Sequence, residues 1–414
     1  MRIAYIAPYQ GPDLLKRRPI VHNRSMAAVV KIEMASLLLR EKSHTIEIIS
    51  QGEVIKSRFN FYPAFAESQR FHPEIPIYYV SALRLRFVSG LWEAWRALRM
   101  FKERHKAAPF DAVIIYNTKQ AQLACANYAV DRLGLPVLLD FEDDPFVSVT
   151  GDKPSGLKAA YHVRSCRRVL DKLSGCFAVS PHLLSHLPAG VPKLLMRGLV
   201  DPAIVKTSQS MSLRKRNWVS FAGTHNRSNG LEPLIDAWKT MNLKDWELHL
   251  AGYGEDTAAL QKQAQGRSDI IFDGVLRGQA LADLLCSSKI CVSPNEPSRT
   301  PGNIFPCKII DYLAAGAHVV AVPMGPLEKE FEKGITYLPC NDPEAITAAI
   351  QQVIAERRWE RNVAPLVWET FGPSAAGDKL ENLLQQARRG FRQSPPPSAA
   401  WTTENSLIPG EKSR

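Results

Sequence analysis

One stretch of the chain, residues 303–323, reads NIFPCKIIDYLAAGAHVVAVP and places charged groups on a predicted helix that follows a polar turn. The residues at the start of this helix are Gly302, Asn303, Ile304 and Phe305. At such a position, unpaired N–H groups and the positive end of the helix dipole bind anions. Lys308 adds a cation one turn later. We therefore predict that this helix start and Lys308 bind a diphosphate.

An acid lies about two turns into the same helix. Asp311 follows Asn303 by eight residues, so both side chains can face one side of the helix. An ionised carboxylate accepts two hydrogen bonds, which suits the adjacent hydroxyls of a ribose. An ordinary helix acid that pairs with a nearby base is the alternative interpretation.

Three loops in the same half of the chain carry glycines directly after predicted strands. In VSFAGTHNRSNG, at 219–230, Gly223 ends a strand and lets the backbone approach a ligand, while Arg227 supplies a cation for phosphate. A Gly-x-Gly pair follows the next strand, in LHLAGYGED. The third loop begins with Gly274, Val275 and Leu276. Their backbone N–H and C=O groups could hold a nucleotide base, and plain structural turns are the alternative.

A cluster of four acids follows a strand in the other half of the chain. The segment VLLDFEDDPF, at 137–146, contains Asp140, Glu142, Asp143 and Asp144. We predict that Glu142 and Asp143 orient a hydroxyl group or stabilise positive charge in a transition state. A bound metal ion is the alternative. Weaker candidates near other strand ends are Asn117, Lys119, His182, His22 and Asn23.

Strands and helices alternate along the chain, and the strands are almost continuously apolar. This pattern is typical of parallel sheets that are covered on both faces. The predicted strands are 2–7, 45–50, 110–117, 136–141, 175–180, 218–223, 246–252, 270–274, 290–294 and 335–339. The polar stretch 205–217 divides them into two α/β, doubly wound units joined by a linker near 200–217. Ligands of such sheets bind beyond the carboxyl ends of the strands.

Composition limits the partners and the location of the protein. The 414 residues carry a net charge of +11, which favours anionic partners, and no recognisable nucleic-acid-binding module is present. Seven cysteines without a Cys-x-x-Cys pair indicate reduced thiols. No apolar run reaches about 18 residues, so no spanning helix is predicted. The first residues enter a strand without a signal peptide, and we expect a cytoplasmic protein.

A basic segment at 82–106 interleaves arginines and lysines with aromatic residues, among them Trp92 and Trp95. It predicts an amphipathic helix that lies on an anionic membrane surface. The alternative is a helix that packs both tryptophans into a core and leaves its arginines in solvent. The Pro/Ser-rich tail from residue 391 is predicted to be disordered.

Taken in order, the glycine loops and the acidic helix resemble the donor domain of family 4 glycosyltransferases of GT-B fold, over residues 219–323. Members of that family show G-R-x4-K-G, G-x-G, F-x-G and E-x7-E segments, followed by A-x-G. Thr224 and Asn229 stand at the usual arginine and lysine positions of the first segment. Asn303 and Asp311 stand at the positions of the two acids.

The resemblance implies two Rossmann-like domains that face each other across a cleft. An acceptor-binding domain would span 1–204 and a nucleotide-sugar-binding domain 205–371. A helix at 372–390 would cross back to the first domain, and the tail would span 391–414.

The resemblance also implies an activity. A sugar would move from a nucleotide diphosphate sugar to a hydroxyl of a saccharide or lipid-linked acceptor, with retention and without a metal or other cofactor. Cell-surface polysaccharide or glycolipid synthesis is the expected context. Asn303 would act beside Glu142 and Asp143, and Gly11, in the loop after the first strand, would contact the donor phosphate together with Arg227 and Lys308.

Two other functions stay open. Nucleotide-sugar epimerases share this architecture, and the acids at 140–144 could serve their acid–base chemistry. A non-catalytic nucleotide-sugar-binding protein is compatible with the departures at Thr224, Asn229 and Asn303. Turnover of the donor without an acceptor would indicate an epimerase, and binding without turnover would indicate the binding protein.

Overall fold

The computed structural model describes residues 1–18, 26–52, 59–85, 88–147, 156–210, 215–296, 307–323, 327 and 329–393. Its strands are β1 (Arg2–Ile6), β2 (Thr45–Ser50), β3 (Asn60–Tyr62), β4 (Phe65–Ala66), β5 (Ile77–Tyr79), β6 (Ala82–Arg84), β7 (Ala112–Tyr116), β8 (Val137–Phe141), β9 (Gly175–Ala178), β10 (Lys193–Leu195), β11 (Arg216–Ala222), β12 (Glu247–Ala251), β13 (Ile270–Gly274), β14 (Ser288–Ser293), β15 (His318–Ala321) and β16 (Ile335–Tyr337). Its α-helices are α1 (Pro12–Arg17), α2 (Met26–Glu41), α3 (Ser89–Ala107), α4 (Gln120–Leu133), α5 (Leu157–Leu170), α6 (Pro181–Ser185), α7 (Pro202–Gln209), α8 (Leu231–Thr240), α9 (Thr257–Gln263), α10 (Gly278–Ser287), α11 (Cys307–Ala314), α12 (Pro343–Ala355), α13 (Ala364–Phe371) and α14 (Pro373–Gln393).

The first half of the chain forms one sheet with the strand order β10-β9-β8-β7-β1-β2-β5-β4. All of its pairs are parallel except the edge pair of β4 and β5. Strands β7 and β8 are buried at every position, because apolar side chains on both faces pack against helices. The order reverses between β1 and β7, so the loops after these strands open a crevice.

The second half forms a six-stranded parallel sheet with the order β13-β12-β11-β14-β15-β16. The strand order of this sheet reverses between β11 and β14. Residues 223–230 follow β11 and residues 294–296 follow β14, and the sequence analysis assigns Gly223 and Arg227 of the first segment to phosphate. The prediction of two doubly wound α/β units is therefore confirmed.

The last helix returns to the first sheet. Four apolar residues of α14 lie in the same core cluster as Ile3 and Tyr5 of β1. They are Leu380, Leu383, Leu384 and Ala387. Asp378 and Glu381, on the same helix, contact Lys42 and His44 of the first half.

The predicted linker near 200–217 is wrong in its first part. Helix α7 occupies 202–209, because Asp201 caps its start by accepting a hydrogen bond from the N–H of Ala203 at 2.8 Å, and Pro202 fits the first turn. Ile204 is fully buried in the core of the second half. A domain boundary between 204 and 205 therefore falls inside a packed helix.

The segment 82–106 is also not one helix. Residues 82–84 form β6, which pairs antiparallel with β3, and α3 begins at Ser89. The Ser89 hydroxyl is bonded to the backbone of Leu85, with the N–H at 3.0 Å and the carbonyl at 2.6 Å, which fixes the turn between them. Among the described residues, none of the helices is both long and apolar enough to cross a membrane.

Candidate functional site

Glycines hold the loops of the second sheet in direct backbone contact. A Cβ atom on Gly230 would lie 1.8 Å from the carbonyl oxygen of Pro294, and one on Gly252 would lie 1.8 Å from that of Gly223. The N–H of Gly252 donates to the carbonyl of Gly274 at 2.7 Å. The loops after β11, β12, β13 and β14 therefore form one continuous backbone surface at the carboxyl edge of the sheet.

Because these loops are in direct contact, we expect that a single methyl group added at one of the contact glycines destabilises the fold strongly. We expect Gly230→Ala to lower the free energy of unfolding by more than about 2 kcal/mol, because φ is +67° there and the new Cβ overlaps Pro294. Gly266→Ala is the matched control, since φ is +84° but no described atom lies within 4 Å of its Cβ position. We expect this control substitution to lower the free energy of unfolding by only about 1 kcal/mol. Urea denaturation measures both, and equal losses would contradict the close packing.

Lys308 is a half-buried cation beside these loops. Its Nζ atom lies 2.7 Å from the Oδ1 atom of Asn229 and 4.7 Å from the ring centre of Phe221. Burial lowers the pKa of Lys308 to about 8. Within the described residues no carboxylate pairs with it, and a Cβ on Gly223 would lie only 2.8 Å from its Nζ atom. The cation thus lies directly against the glycine that the sequence assigns to phosphate.

Asp311 lies one turn further along α11 and is a carboxylate without a charged partner. Among the described residues its buried Oδ1 atom has no hydrogen-bond partner. Burial raises the pKa of Asp311 to about 8, the nearby charge of Asp201 adds to the rise, and a hydrogen bond with the backbone of Asp201 opposes it. A ligand with hydroxyl donors would satisfy this carboxylate and return it to its ionised form.

The other predicted donor-site residues of this half are more exposed. Gly274 and Val275 are exposed at the end of β13, with φ of +68° at Gly274, and Leu276 is half-buried. The Arg227 side chain is 88% exposed and lies 3.6 Å from Glu296. It can reach a ligand but is not held in place. The predicted residues Gly302, Asn303, Ile304 and Phe305 lie outside the described part of the chain.

In the first half, one asparagine fixes the two predicted catalytic acids. The Oδ1 atom of Asn117 accepts from the N–H groups of Glu142 and Asp143 at 2.8 and 3.0 Å. Its Nδ2 group donates to the Oδ2 atom of Asp143 at 2.8 Å. Asn117 is buried and has a φ of +57°, a left-handed conformation that asparagine tolerates better than most residues. Its role is to position the loop that carries both acids.

A buried ion-pair network lies beneath Glu142. Lys31 of α2 lies 2.6 Å from Asp140 and also contacts Glu142, while the Tyr5 hydroxyl donates to Asp140. Burial raises the pKa of Asp140, although Lys31 and Tyr5 act against the rise. Because Lys31 holds Glu142, Asp143 is the acid of the pair with no cation bound to it among the described residues.

The remaining predicted residues have structural partners. The N–H of Gly11 donates to the Tyr79 hydroxyl at 2.8 Å. A contact between Gly11 and a phosphate would therefore need a change in this loop. Asp144, the fourth acid of the cluster, lies beside His182 and His186, at 2.8 and 3.1 Å. The hydrogen bonds from Phe146 and both histidines outweigh the effect of burial and hold the pKa of Asp144 below its ordinary value.

Charges from the first half act on residues of the second half across the cleft. Burial raises the pKa of the Cys307 thiol, at the start of α11, and the charge of Lys31 works against the rise. Burial likewise raises the pKa of Glu33 on α2, and Arg277 works against it. Helix α2 therefore faces both the start of α11 and the loop after β13.

Sequence reasoning missed Lys31, which contacts a predicted catalytic acid. Its only sequence signal is its position, together with Glu33, within the mostly apolar run SMAAVVKIEMASLLL. Asn229 was noted only as a departure from a usual lysine, yet its side chain bonds the backbone of Thr224 at 2.7 Å and also Lys308. A residue on another element, Lys308, thus supplies the cation near the position of the missing lysine.

Comparison with protein families finds a match in the second half of the chain. Residues 216–356 match the model of the family described as Glycosyl transferases group 1. No curated protein sequence matches the chain. The match includes the glycine loops, Lys308 and Asp311.

Solved structures resemble the chain over both halves. Sucrose-phosphate synthase from Thermosynechococcus elongatus is 14% identical with a TM-score of 0.59, covering 95% of this chain and 98% of that one. Anabaena HepE in complex with UDP-glucose is 14% identical with a TM-score of 0.58, covering 93% and 99%. A putative UDP-N-acetylglucosamine 2-epimerase from Listeria monocytogenes is 12% identical with a TM-score of 0.53, covering 96% and 98%.

At these identities the likeness shows the fold alone, and that fold is shared by transferases and an epimerase. The family match is more specific, because it covers the segment that carries Lys308 and Asp311. The chain thus has the GT-B fold, and its match to the group 1 glycosyl transferases is confined to residues 216–356.

Proposed function

We propose that the protein transfers a sugar from a nucleotide diphosphate sugar to an acceptor hydroxyl, with retention of configuration and without a metal in the transfer step. The observation that carries the proposal is the pair Lys308 and Asp311 on α11. Each is a half-buried ionisable group without an opposite charge beside it among the described residues, and both have a pKa of about 8. A nucleoside diphosphate supplies the missing partners, an anion for the lysine and hydroxyl donors for the acid.

The donor orientation follows from the order of these groups along the sheet edge. The base lies near Gly274, Val275 and Leu276, the ribose at Asp311, and the diphosphate between Lys308 and the loops that meet at Gly223. The transferred sugar then points across the cleft, toward α2 and the acids of the first half. Asp143 is placed to orient the acceptor hydroxyl, while Glu142, held by Lys31, shapes the pocket and its charge.

The test is a transfer assay on the full chain with UDP-, ADP- and GDP-sugars, with and without saccharide and lipid-linked acceptors. We expect acceptor-dependent release of one nucleoside diphosphate. Asp143→Asn should lower the rate by about 100-fold while leaving donor affinity unchanged. Conversion of a donor to an isomeric nucleotide sugar without acceptor would instead show an epimerase. Donor binding without any turnover would show a binding protein.

We also propose that the protein works at the inner face of a membrane, in polysaccharide or glycolipid synthesis. Six large apolar residues are exposed around the paired strands β3 and β6 and the start of α3. They are Phe59, Phe61, Leu85, Val88, Leu91 and Trp95. Phe61, Trp92 and Trp95 touch in series, with ring centres 6.2 and 5.3 Å apart. An exposed apolar patch of this kind is typical of an interaction surface.

Along the exposed face of α3, apolar side chains near the start of the helix are followed by basic side chains. Leu91 and Trp95 are followed at helical spacing by Arg99, Lys102 and Lys106, all of them exposed. This order suits an anionic membrane, since the aromatic end enters the interface and the lysines meet the lipid phosphates. The buried residues of α3, Glu93, Ala97 and Phe101, lie on its other side.

We expect the native protein to float with vesicles that contain phosphatidylglycerol and not with pure phosphatidylcholine. The double substitution Leu91→Ser and Trp95→Ser should reduce the bound fraction at least about tenfold, because it removes two apolar side chains from the interface. Tyr161→Ser is the control, since that tyrosine is 72% exposed on α5. A membrane role for this face would be contradicted if the double variant bound vesicles as well as the native protein does. It would also be contradicted if the native protein bound equally to vesicles with and without phosphatidylglycerol.

A further inference from the structure

Three potential metal ligands converge at the carboxyl edge of the first sheet. The Nε2 atoms of His182 and His186 lie 2.8 and 3.1 Å from the same carboxylate oxygen, Oδ2 of Asp144. All three ligand atoms lie within 4.8 Å of one another. No other group of this kind occurs in the part of the chain that the structure describes.

Local structure brings these side chains together. Ser180 caps the start of α6, accepting from the N–H of Leu183 at 3.3 Å, and Pro181 begins the helix. His182 and His186 are four residues apart, so their rings lie on one face, with centres 4.9 Å apart. The other oxygen of Asp144 accepts from the N–H of Phe146 at 2.8 Å, which turns Oδ2 toward the two rings.

The ligand set has a defined chemistry. Two imidazoles and one carboxylate bind Zn²⁺ and related divalent transition-metal ions at about 2.0–2.2 Å. Ligand atoms around such an ion lie roughly 3.0–3.4 Å apart, so the two distances from Oδ2 of Asp144 to the histidines, 2.8 and 3.1 Å, would need to lengthen by at most a few tenths of an ångström. The His182 side chain is 45% exposed, whereas those of His186 and Asp144 are 24% and 15% exposed. An ion could enter from solvent on the His182 side.

We propose that Asp144, His182 and His186 bind one divalent transition-metal ion of the Zn²⁺ type. The ion would tie the loop after β8 to α6 and so fix the loop that carries Glu142 and Asp143. It takes no part in the transfer step, and the proposal does not depend on the sugar transferase activity. The alternative without a metal is a hydrogen-bonded cluster in which both histidines donate to Asp144.

The test is calorimetric titration of the full chain with Zn²⁺, after removal of bound metal with a chelator. We expect one ion per chain, and at least about 30-fold weaker binding in His182→Ala and in His186→Ala, since even partners outside the ligand set change metal affinity 10–100-fold. His72→Ala and Cys307→Ser are controls for a histidine and a thiol elsewhere. We expect both controls to bind within about twofold of the native chain.

A second readout needs no variant. Co²⁺ bound by nitrogen and oxygen ligands should give visible absorption without a thiolate band, and Zn²⁺ should raise the melting temperature of the native chain. Absence of binding to the native chain would overturn the proposal and establish the hydrogen-bonded cluster. Unchanged affinity in both histidine variants, or a thiolate band that disappears in Cys307→Ser, would also overturn it.

Discussion

Replacement of Asp311 by asparagine is expected to weaken the binding of nucleoside diphosphates by about 100-fold, or about 3 kcal/mol. The reason is that an ionised carboxylate accepts two hydrogen bonds from a ribose diol, whereas an amide offers one acceptor atom and a donor that has no matching acceptor. Calorimetry with UDP, ADP and GDP measures the loss. Asp131→Asn, on the surface and paired with Lys172, is the control and should bind like the native chain.

Ionisation of the Asp311 carboxyl group should also release a measurable number of protons when a nucleotide binds. With a pKa of about 8 in the free protein, Asp311 is mostly protonated at pH 7. Hydroxyl donors favour the ionised form, so binding should release roughly half a proton or more per chain, and Asp311→Asn should abolish the release. Titrations in two buffers of different ionisation enthalpy measure this number. Equal affinity and equal proton release in the native and variant chains would place the ribose elsewhere.

The raised pKa of Asp311 also predicts how the stability of the folded chain depends on pH. The folded-state value of about 8 lies above the ordinary value of 3.8. The folded chain therefore binds this proton more tightly than the unfolded chain. Its contribution to stability is present below about pH 4 and is lost as pH rises through about 8. We expect Asp311→Asn to be more stable than the native chain at pH 8, although it binds nucleotide less well.

Replacement of Lys308 by methionine is expected to weaken nucleoside diphosphate binding about 30-fold, or about 2 kcal/mol, while changing nucleoside binding by less than about threefold. A half-buried cation interacts more strongly with a phosphate than an exposed one, because less water screens it. Methionine keeps much of the apolar length of the side chain, so the contact with Phe221 is preserved. NMR titration with uridine and calorimetry with UDP separate the two effects.

Arg227→Met is the matched control for Lys308→Met. Its side chain is 88% exposed, so solvent screens its charge, and we expect a loss of about threefold or less. Lys308→Arg should retain part of the affinity because it keeps the charge. A larger loss in Arg227→Met than in Lys308→Met would mean that the diphosphate lies over the exposed loop and not against α11.

The sequence predicted the doubly wound units and helix α11 well, because their signals are local. An apolar strand followed by glycine and then a helix occupies one continuous segment, as in 219–230. The long strands lie within two residues of their predicted ends. The sequence does not predict the short strands β3, β4, β5, β6 and β10, since they contain only two or three residues each and show no periodicity. Helix α7 resembles a linker in sequence because polar residues surround its few buried side chains.

The sequence by itself determined the residue types of the site and the strand ends that carry them. It placed Asp311 and Lys308 on one helix, and Glu142 and Asp143 at one strand end. Only the tertiary structure decided the partners. Lys31 and Asp140 are 109 residues apart, and Asp144 and His186 are 42 apart, yet each pair is in contact. Contacts of this kind depend on how the sheet orders its strands and helices, and no local pattern encodes that order. For the same reason, only the folded chain shows that Asp311 and Lys308 have no opposite charge beside them among the described residues, the observation on which the proposed function rests.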